Sequence, residues 1–370
     1  MASEKFTHLS RDSAGSGEQM SNARDLLYFA GSVPLPNCED VFRALNGEVG
    51  QFLRRMPDGE TGERTLWIKF QQKMLLEHPA IELDSAQPPL PVRQADGTVH
   101  RHIQLMRLRP SVDVDSVVFD TGYDRAALAS YQTYRALREA GIISPEIRLQ
   151  VALPTPMATG LMYVSPIGRD DYLRAYERSL LNALQVIISA IPHSELSIQF
   201  DVCQEVLLFE NYFPVREHDY QAAVFEQFGR LGAAVPIDVE LGFHLCYGSP
   251  GDQPLLHLAD ARALAELMNG IADFVARPVE FIHIPVPRRA NAMFYEPLQG
   301  WRRAPQTRLY LGLLQFDDDS GNRAGIDVAR RAVQGFGVGA ECGFGRTDPG
   351  RVPTILAGHR AAAEYLHNTI

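Results

Sequence analysis

Residues 237–248 read IDVELGFHLCYG, an apolar run that ends in a histidine and a cysteine. Seven similar runs occur along the chain, and segments with helical periodicity separate them. They are LLYFAG (26–31), QFLRRMPDGE (51–60), IRLQVALP (147–154), ELSIQFDV (195–202), VEFIHIPVP (279–287), RLYLGLLQFD (308–317) and GFGVGAECG (335–343). Strands alternating with helices in this way predict a single (β/α)8 TIM barrel, an α/β fold. A doubly wound open sheet is the main alternative, although no GxGxxG sequence follows the first run.

The length of the chain is compatible with one such barrel. It has 370 residues, 45% of them apolar, which suffices for a large core. Residues 1–22 are polar and lack the apolar core of a signal peptide, so we predict a flexible leader followed by a barrel over 23–370. The segment from about 79 to 121 interrupts the alternation and contains a turn at ADGT (95–98). It predicts a β-hairpin inserted over one mouth of the barrel.

Charge and cysteine content restrict the possible partners. A net charge of −10 argues against sequence-independent binding of nucleic acid and gives no reason to expect docking on an anionic membrane. No run is long enough to cross a membrane. We therefore expect a cytoplasmic protein with a small-molecule substrate, while the oligomeric state stays open. The small set of cysteines predicts free thiols or a metal site: Cys38, Cys203, Cys246 and Cys342.

Polar side chains collect at the predicted strand ends. In a (β/α)8 barrel, the carboxyl ends of the strands carry the chemistry. The candidates are Asp58, Glu60, Asp201, His244, Cys246, His283, Asp317, Asp318, Asp319, Glu341 and Cys342. The sequence thus predicts a functional site at one end of the barrel.

The strongest candidate site is a metal centre. His244 and Cys246 project to the same side of their strand, because side chains alternate along a strand. An imidazole and a thiolate suit a borderline-soft ion such as zinc, and Cys342 could supply a second sulfur. The alternative is that both cysteines are small buried hydrophobic residues.

Five motifs resemble those of the C-terminal catalytic barrel of cobalamin-independent methionine synthases. In chain order they are AGSVPLP (30–36), LPTPMATG (153–160), SIQFD (197–201), FHLCYG (243–248) and ECGFGR (341–346). The resemblance implies a zinc ion held by His244, Cys246 and Cys342, with Asp201 binding the amino group of the substrate. It also implies transfer of a methyl group to a thiol, with a methyl-folate as candidate co-substrate.

The chain departs from this family in its substrate-binding segments. The family has two barrels, and this chain has the length for one. Pro285, in FIHIPVPRR (281–289), falls where the family has a glutamate ligand of zinc. His283 is a candidate for the fourth ligand, or else a hydrogen-bonded wall residue. Arg288 is a candidate contact for an acidic substrate, by a bidentate interaction, or else part of a solvated loop.

The acid–base residues also differ. The family's histidine after the seventh strand is absent, and Asp317, Asp318 and Asp319 occupy that region. Clustered carboxylates raise at least one pKa and could serve as acid or base, although acidic residues before SGN (320–322) also suit a turn. Glu60, with Asp58 as second choice, is a candidate contact for a substrate amino group.

These observations predict a divergent, single-barrel, zinc-dependent enzyme that activates a thiol or a similar nucleophile. Methyl transfer related to methionine synthase chemistry is the first hypothesis, and methionine synthesis itself is not expected. A zinc-dependent hydrolase or lyase on the same barrel is the second. A non-catalytic barrel that binds small molecules is the third.

Overall fold

The computed structural model describes residues 24–214 and 218–369, so the predicted leader lies outside the described residues. Eight strands form one parallel sheet in the order β1-β8-β7-β6-β5-β4-β3-β2. The strands are β1 (Leu27–Tyr28), β2 (Arg55–Pro57), β3 (Arg148–Pro154), β4 (Leu196–Val202), β5 (Glu240–Leu245), β6 (Phe281–Pro285), β7 (Arg308–Leu314) and β8 (Phe336–Ala340). A single parallel bridge, between Leu27 and Leu53, joins the two end strands across the remaining gap. The predicted single (β/α)8 barrel is confirmed, and the open-sheet alternative is wrong.

Helices surround the sheet, with at least one between most consecutive strands. They are α1 (Cys38–Val49), α2 (Lys69–Glu77), α3 (Tyr123–Glu139), α4 (Pro156–Tyr163), α5 (Arg169–Ala190), α6 (Gln204–Phe209), α7 (Tyr220–Ala233), α8 (Arg262–Phe274), α9 (Ala292–Tyr295), α10 (Asp319–Ala332) and α11 (Val352–Asn368). No described helix is both long enough and apolar enough to cross a membrane.

The strands are shorter than their apolar runs where the chain must turn. The second run was predicted over 51–60, yet β2 spans Arg55–Pro57. Residues Gly50–Phe52 form a 3-10 turn, and Gly59 has a φ of +81° that ends the extended backbone. By contrast, all seven residues of β4 are buried, as expected for a parallel strand covered on both faces.

Polar residues inside the barrel form two separate networks, one toward each end. At the amino end of the strands, Arg55 lies 3.3 Å from Glu240 and donates a hydrogen bond of 2.7 Å to the hydroxyl of Tyr310. Toward the carboxyl end, Tyr28 donates to Gln199, whose amide donates to Asp201 at 2.8 Å. The first network is closed by an ion pair, whereas the second leads to the predicted site.

The segment between α2 and α3 forms two small antiparallel pairs. Ile81–Leu83 pairs with Met106–Leu108, and Leu90–Arg93 pairs with Val99–Ile103. We call the second pair with its connecting turn, residues 90–103, the lid hairpin. It touches the loop after β5, because Gln94 Nε2 donates to Pro250 O at 3.0 Å and Ala95 N donates to Pro254 O at 2.9 Å. The lid hairpin thus lies at the carboxyl end of the barrel.

Candidate functional site

Three adjacent strands bring the predicted polar residues to one level. In the register of the sheet, Asp201 of β4 pairs with His244 of β5, and His244 pairs with His283 of β6. Each of these side chains is buried, with an exposed fraction of 5% or less. The residues that sequence analysis placed at separate strand ends therefore meet inside one barrel mouth.

The donor atoms of His244, Cys246 and Cys342 lie within 4.8 Å of one another. In tetrahedral zinc sites with Zn–S bonds of about 2.3 Å, neighbouring sulfur donors lie roughly 3.8 Å apart. The three side chains therefore need to move by no more than about 1 Å to surround one ion. Their softness suits zinc, so the residues present fit the ion that the sequence predicted.

The two histidines have assignable tautomers. His283 Nε2 lies 3.1 Å from the carbonyl oxygen of Ala340, which can only accept, so Nε2 of His283 carries the proton. Burial, with the adjacent His244, lowers the pKa of His283 well below its usual value, so the ring is neutral. Nδ1 of His283 is then an acceptor, and His244 donates to it from Nδ1 at 2.8 Å.

This arrangement leaves Nε2 of His244 with a lone pair. That atom is buried and has no hydrogen-bond partner among the described residues. A buried nitrogen without a partner is costly unless something else binds it. His283 thus orients His244 from behind, as outer partners of metal-binding histidines do. Both ring nitrogens of His283 already have hydrogen-bond partners. The role of His283 as fourth ligand stays a prediction, because it would require the loss of one of these hydrogen bonds.

The thiols of the site are protonated in the absence of a cation. A hydrogen bond that the Cys246 thiol donates to Cys203, together with burial, raises the pKa of Cys246 well above its ordinary value. Contact with Cys246 and burial do the same for Cys342. A coordinating cation reverses this preference, because it favours the deprotonated thiol. Cys203 is buried next to the site and lines the same cavity.

Asp201 is held rigidly by two donors. Trp67 Nε1 donates to Oδ2 at 3.0 Å, and Gln199 Nε2 donates to Oδ1 at 2.8 Å. Burial nevertheless raises the pKa of Asp201 to about 7. The carboxyl group is therefore fixed in position and changes charge near neutral pH.

Glu60, in the turn after β2, lines the same cavity as Asp201. It has a φ of +47°, which is rare for a residue other than glycine. A Cβ on Gly31 would lie 2.8 Å from Oε1 of Glu60, so a glycine is needed to let this carboxyl enter. Burial, followed by the charge of Asp201, raises the pKa of Glu60 well above its usual value. The site thus contains two neighbouring carboxyl groups that resist full ionisation.

Asp58, the second choice for contacting an amino group, has a different environment. It forms an ion pair of 2.6 Å with Arg64 and accepts hydrogen bonds from Ser130 and from the backbone of Glu60. Burial raises the pKa of Asp58, but the charge of Arg64 and the hydrogen bonds outweigh burial, so the pKa is lowered overall. These contacts shape the turn that carries Glu60.

The aspartates after β7 lie in an exposed ion-pair loop. Asp317 pairs with Arg351 at 2.5 Å, and Asp318 pairs with Arg288 at 3.1 Å. Asp318 also begins α10 by accepting from the backbone of Gly321, and Asp319 lies in the first turn. None of these residues is among those lining the main cavity, so the structure does not bring Arg288 or the aspartates together with His244 and the cysteines.

The main cavity has a volume of about 440 Å³ and contains several residues that sequence analysis overlooked. Trp67 is partly buried and donates a hydrogen bond to Asp201. Lys69, Arg101 and Arg346 also line the cavity. Arg346 is the last residue of the motif at 341–346, and that position was the available signal. Arg101 lies on the lid hairpin, whose docking position no local pattern reveals.

Neither a protein-family model nor a curated protein sequence matches this chain. Solved structures do match. One is a candidate vitamin B12-independent methionine synthase from Listeria monocytogenes, with a TM-score of 0.59, 12% identity and coverage of 94% of this chain and 98% of that one. A second is a B12-independent methionine synthase from Shewanella sp. W3-18-1 in complex with selenomethionine, with a TM-score of 0.59, 14% identity and coverage of 94% and 97%.

A third match is a methyltransferase from Methanosarcina mazei, with a TM-score of 0.55, 10% identity and coverage of 94% of this chain and 96% of that one. Nearly the whole of each matched chain is covered, so a single-barrel length does not set this protein apart from them. At such low identity the likeness concerns the fold. The chain has the same single-barrel fold as these B12-independent methionine synthase and methyltransferase structures.

Proposed function

We propose that this protein is a zinc-dependent enzyme that activates a thiol, or a similar soft nucleophile, for methyl transfer. The observation that supports this most is the cluster of His244, Cys246 and Cys342, whose donor atoms lie within 4.8 Å of one another beside a cavity. Zinc bound there would act as a Lewis acid that favours the deprotonated form of a substrate thiol. The fold shared with methyltransferase structures agrees with this chemistry.

The chain's own residues would position the substrate. Glu60 and Asp201 lie at the inner end of the cavity and would bind a substrate ammonium group, with Asp201 oriented by Trp67 and Gln199. The lid hairpin and Leu255 would limit access of water. His283 would keep Nε2 of His244 directed toward the cysteines. A methyl-folate remains the candidate donor, and an assignment of Asp317, Asp318 or Asp319 to proton transfer remains a prediction.

A second function, a zinc-dependent hydrolase or lyase, is favoured by a separate observation. The inner end of the cavity holds two carboxyl groups, and Asp201 has a pKa of about 7. A general acid or base works best with a pKa near the working pH. Such a pair beside a Lewis acid suits water activation or bond cleavage as well as substrate binding.

Metal content of the purified protein, measured by elemental mass spectrometry, tests the shared basis of both functions. We expect one zinc per chain, lost in Cys246→Ser and in Cys342→Ser. Cys38→Ser is the matched control, because Cys38 begins α1 outside the cavity. Zinc absent from protein prepared without chelator, and not taken up on addition, would reject both metalloenzyme functions and leave the small-molecule binding barrel.

Transfer of a labelled methyl group separates the two enzymatic functions. The zinc-loaded protein is incubated with labelled methyl-folate and a panel of thiols, and label in the thiol product is measured. Product formation that fails in Cys246→Ser supports methyl transfer. Lack of transfer across the panel, with intact zinc, favours the hydrolase or lyase.

A further inference from the structure

Three cationic side chains line the cavity of a protein that is acidic overall. The chain carries 45 Asp and Glu against 35 Lys and Arg. Yet the residues lining the cavity include Lys69, Arg101 and Arg346. They come from three separate places: the start of α2, the lid hairpin and the loop after β8. Their convergence on one cavity calls for an anionic partner.

Arg101 has no anionic partner within the described part of the chain. It lies opposite Val92 in the register of the lid hairpin, and both side chains line the cavity. Its Nε is buried and makes no hydrogen bond to any described residue. The phenol of Tyr163 contacts the guanidinium group. Tyr163 is a neutral partner and leaves the positive charge uncompensated.

Arg346 is held in a fixed orientation and has one long ion pair, with Asp252. Its Nη2 donates to Ser249 Oγ at 2.8 Å and to Gly343 O at 3.1 Å, which fixes the plane of the guanidinium group. Its Nε is buried without a hydrogen-bond partner among the described residues, and the carboxylate of Asp252 lies 4.0 Å away. A guanidinium group fixed in this way can bind a carboxylate or a phosphate through two parallel hydrogen bonds. Lys69 is exposed and has no ion pair with a described residue.

We propose that Arg101, with Arg346 and Lys69, binds an anionic group, a carboxylate or a phosphate, at the end of the substrate that lies away from the metal centre. This rests on the proposed function, which places the nucleophilic end of the substrate beside His244, Cys246 and Cys342. The substrate class is then a thiol, or similar soft nucleophile, with an acidic tail. The clamp lies partly on the inserted lid hairpin, so this insertion selects substrates by the charge of their tail.

Matched ligands test this inference by calorimetry on the zinc-loaded protein. Mercaptopropionate, mercaptobutyrate and mercaptohexanoate are each compared with the mercapto-alcohol of the same chain length. We expect at least one acid to bind about tenfold more tightly than its alcohol, equivalent to about 1.4 kcal/mol. That preference should disappear in Arg101→Gln and shrink in Lys69→Gln and Arg346→Gln. Rising salt concentration should weaken the binding of the acid more than that of the alcohol, since interactions between exposed charges are screened.

Arg93→Gln is the matched control. Arg93 is an exposed residue of the same hairpin and pairs with Val99. Unlike Arg101, it is not among the residues that line the cavity. It should leave the preference for acids unchanged. Equal affinity for acid and alcohol, or no binding of any acid, overturns the inference. So does an equal loss in the Arg93 and Arg101 variants.

Sulfur-free acids of the same chain length separate this inference from the proposed function. If these acids bind as tightly as the thiols and lose affinity in Arg101→Gln, the anion clamp stands and thiol activation fails. Competition by inorganic phosphate and by acetate identifies the anion. Stronger displacement by phosphate assigns a phosphate tail, and stronger displacement by acetate assigns a carboxylate.

Discussion

Nδ1 of His244 lies 2.8 Å from Nδ1 of His283, inside the barrel and one strand apart. Because Ala340 O accepts from the other nitrogen of His283, this contact leaves the outer nitrogen of His244 available to a metal. The sequence offered both histidines as candidate ligands of one zinc ion. The structure gives them unequal neighbours, and that inequality can be measured.

Replacing His283 by leucine should weaken zinc binding by about 10- to 100-fold, since outer partners of metal ligands contribute this much. His283→Gln should recover part of the loss, because its side-chain oxygen can still accept from His244. Zinc affinity is measured by competition with a chromophoric chelator. His359→Leu is the control, as it removes another buried imidazole outside the site. Complete loss of stoichiometric zinc in His283→Gln would instead favour the fourth-ligand role.

Trp67 should report ligand binding through its fluorescence. The chain has two tryptophans, and Trp67 lines the cavity while Trp301 does not. In Trp301→Phe, addition of zinc or of a thiol is expected to change the emission of the remaining Trp67. The reciprocal Trp67→Phe protein should show little change. A response that follows Trp301 would place the binding event elsewhere.

The buried carboxyl of Glu205 should make stability depend on pH. Burial raises its pKa from 4.5 to about 7, and Gln227 donates to one of its oxygens at 2.8 Å. The folded state therefore holds a proton that the unfolded state releases, and stability falls as the pH rises from 4.5 toward about 7. The total loss is about 3 kcal/mol at most.

Urea denaturation of wild type and Glu205→Gln at several pH values checks this. Wild type should lose stability relative to the variant as the pH rises, and the difference should level off above about pH 8. Glu63→Gln, which changes an exposed glutamate, should follow wild type. A constant difference between wild type and Glu205→Gln at every pH would show that the pKa of Glu205 is the same in the folded and unfolded states.

Gly242, within β5, should not tolerate a methyl group. A Cβ at this position would lie 2.2 Å from the ring of Phe281. Gly242→Ala is therefore expected to destabilise the barrel by about 1–3 kcal/mol, the usual cost of overpacking a core. Gly47→Ala, in α1 and with open space around it, should be neutral or stabilising by up to about 1 kcal/mol. Urea midpoints of both variants test the contrast.

The barrel and the proximity of His244, Cys246 and Cys342 could be predicted from the sequence because both depend on local patterns. Buried parallel strands are written as apolar runs, and alternation places His244 and Cys246 on one face. Cys342 joined them by a general rule of barrels, that the carboxyl ends of all strands meet. Those features need no knowledge of how distant segments pack.

Other features depend on tertiary contacts that no local pattern specifies. The aspartates at 317–319 suit catalysis and turns equally well, and only the ion pairs with Arg288 and Arg351 show their surroundings. In the sequence, Trp67 resembles an ordinary core residue near the start of a helix. Its hydrogen bond to Asp201 spans 134 residues of sequence. Arg101 likewise reaches the cavity because the lid hairpin packs against the loop after β5, which is distant in sequence.

The lid hairpin is fastened mainly through backbone atoms. Ala95 N donates to Pro254 O, and Arg93 N donates to the hydroxyl of Tyr212 at 2.7 Å. Such attachments do not depend on which side chains the hairpin carries on its cavity face. Selection, natural or in the laboratory, can therefore exchange Arg101 and change the preferred ligand while the hairpin stays in place. The candidate metal ligands His244, Cys246 and Cys342 lie on or just after two barrel strands, β5 and β8, so the residues that recognise a ligand and those that would hold the metal can evolve at different rates.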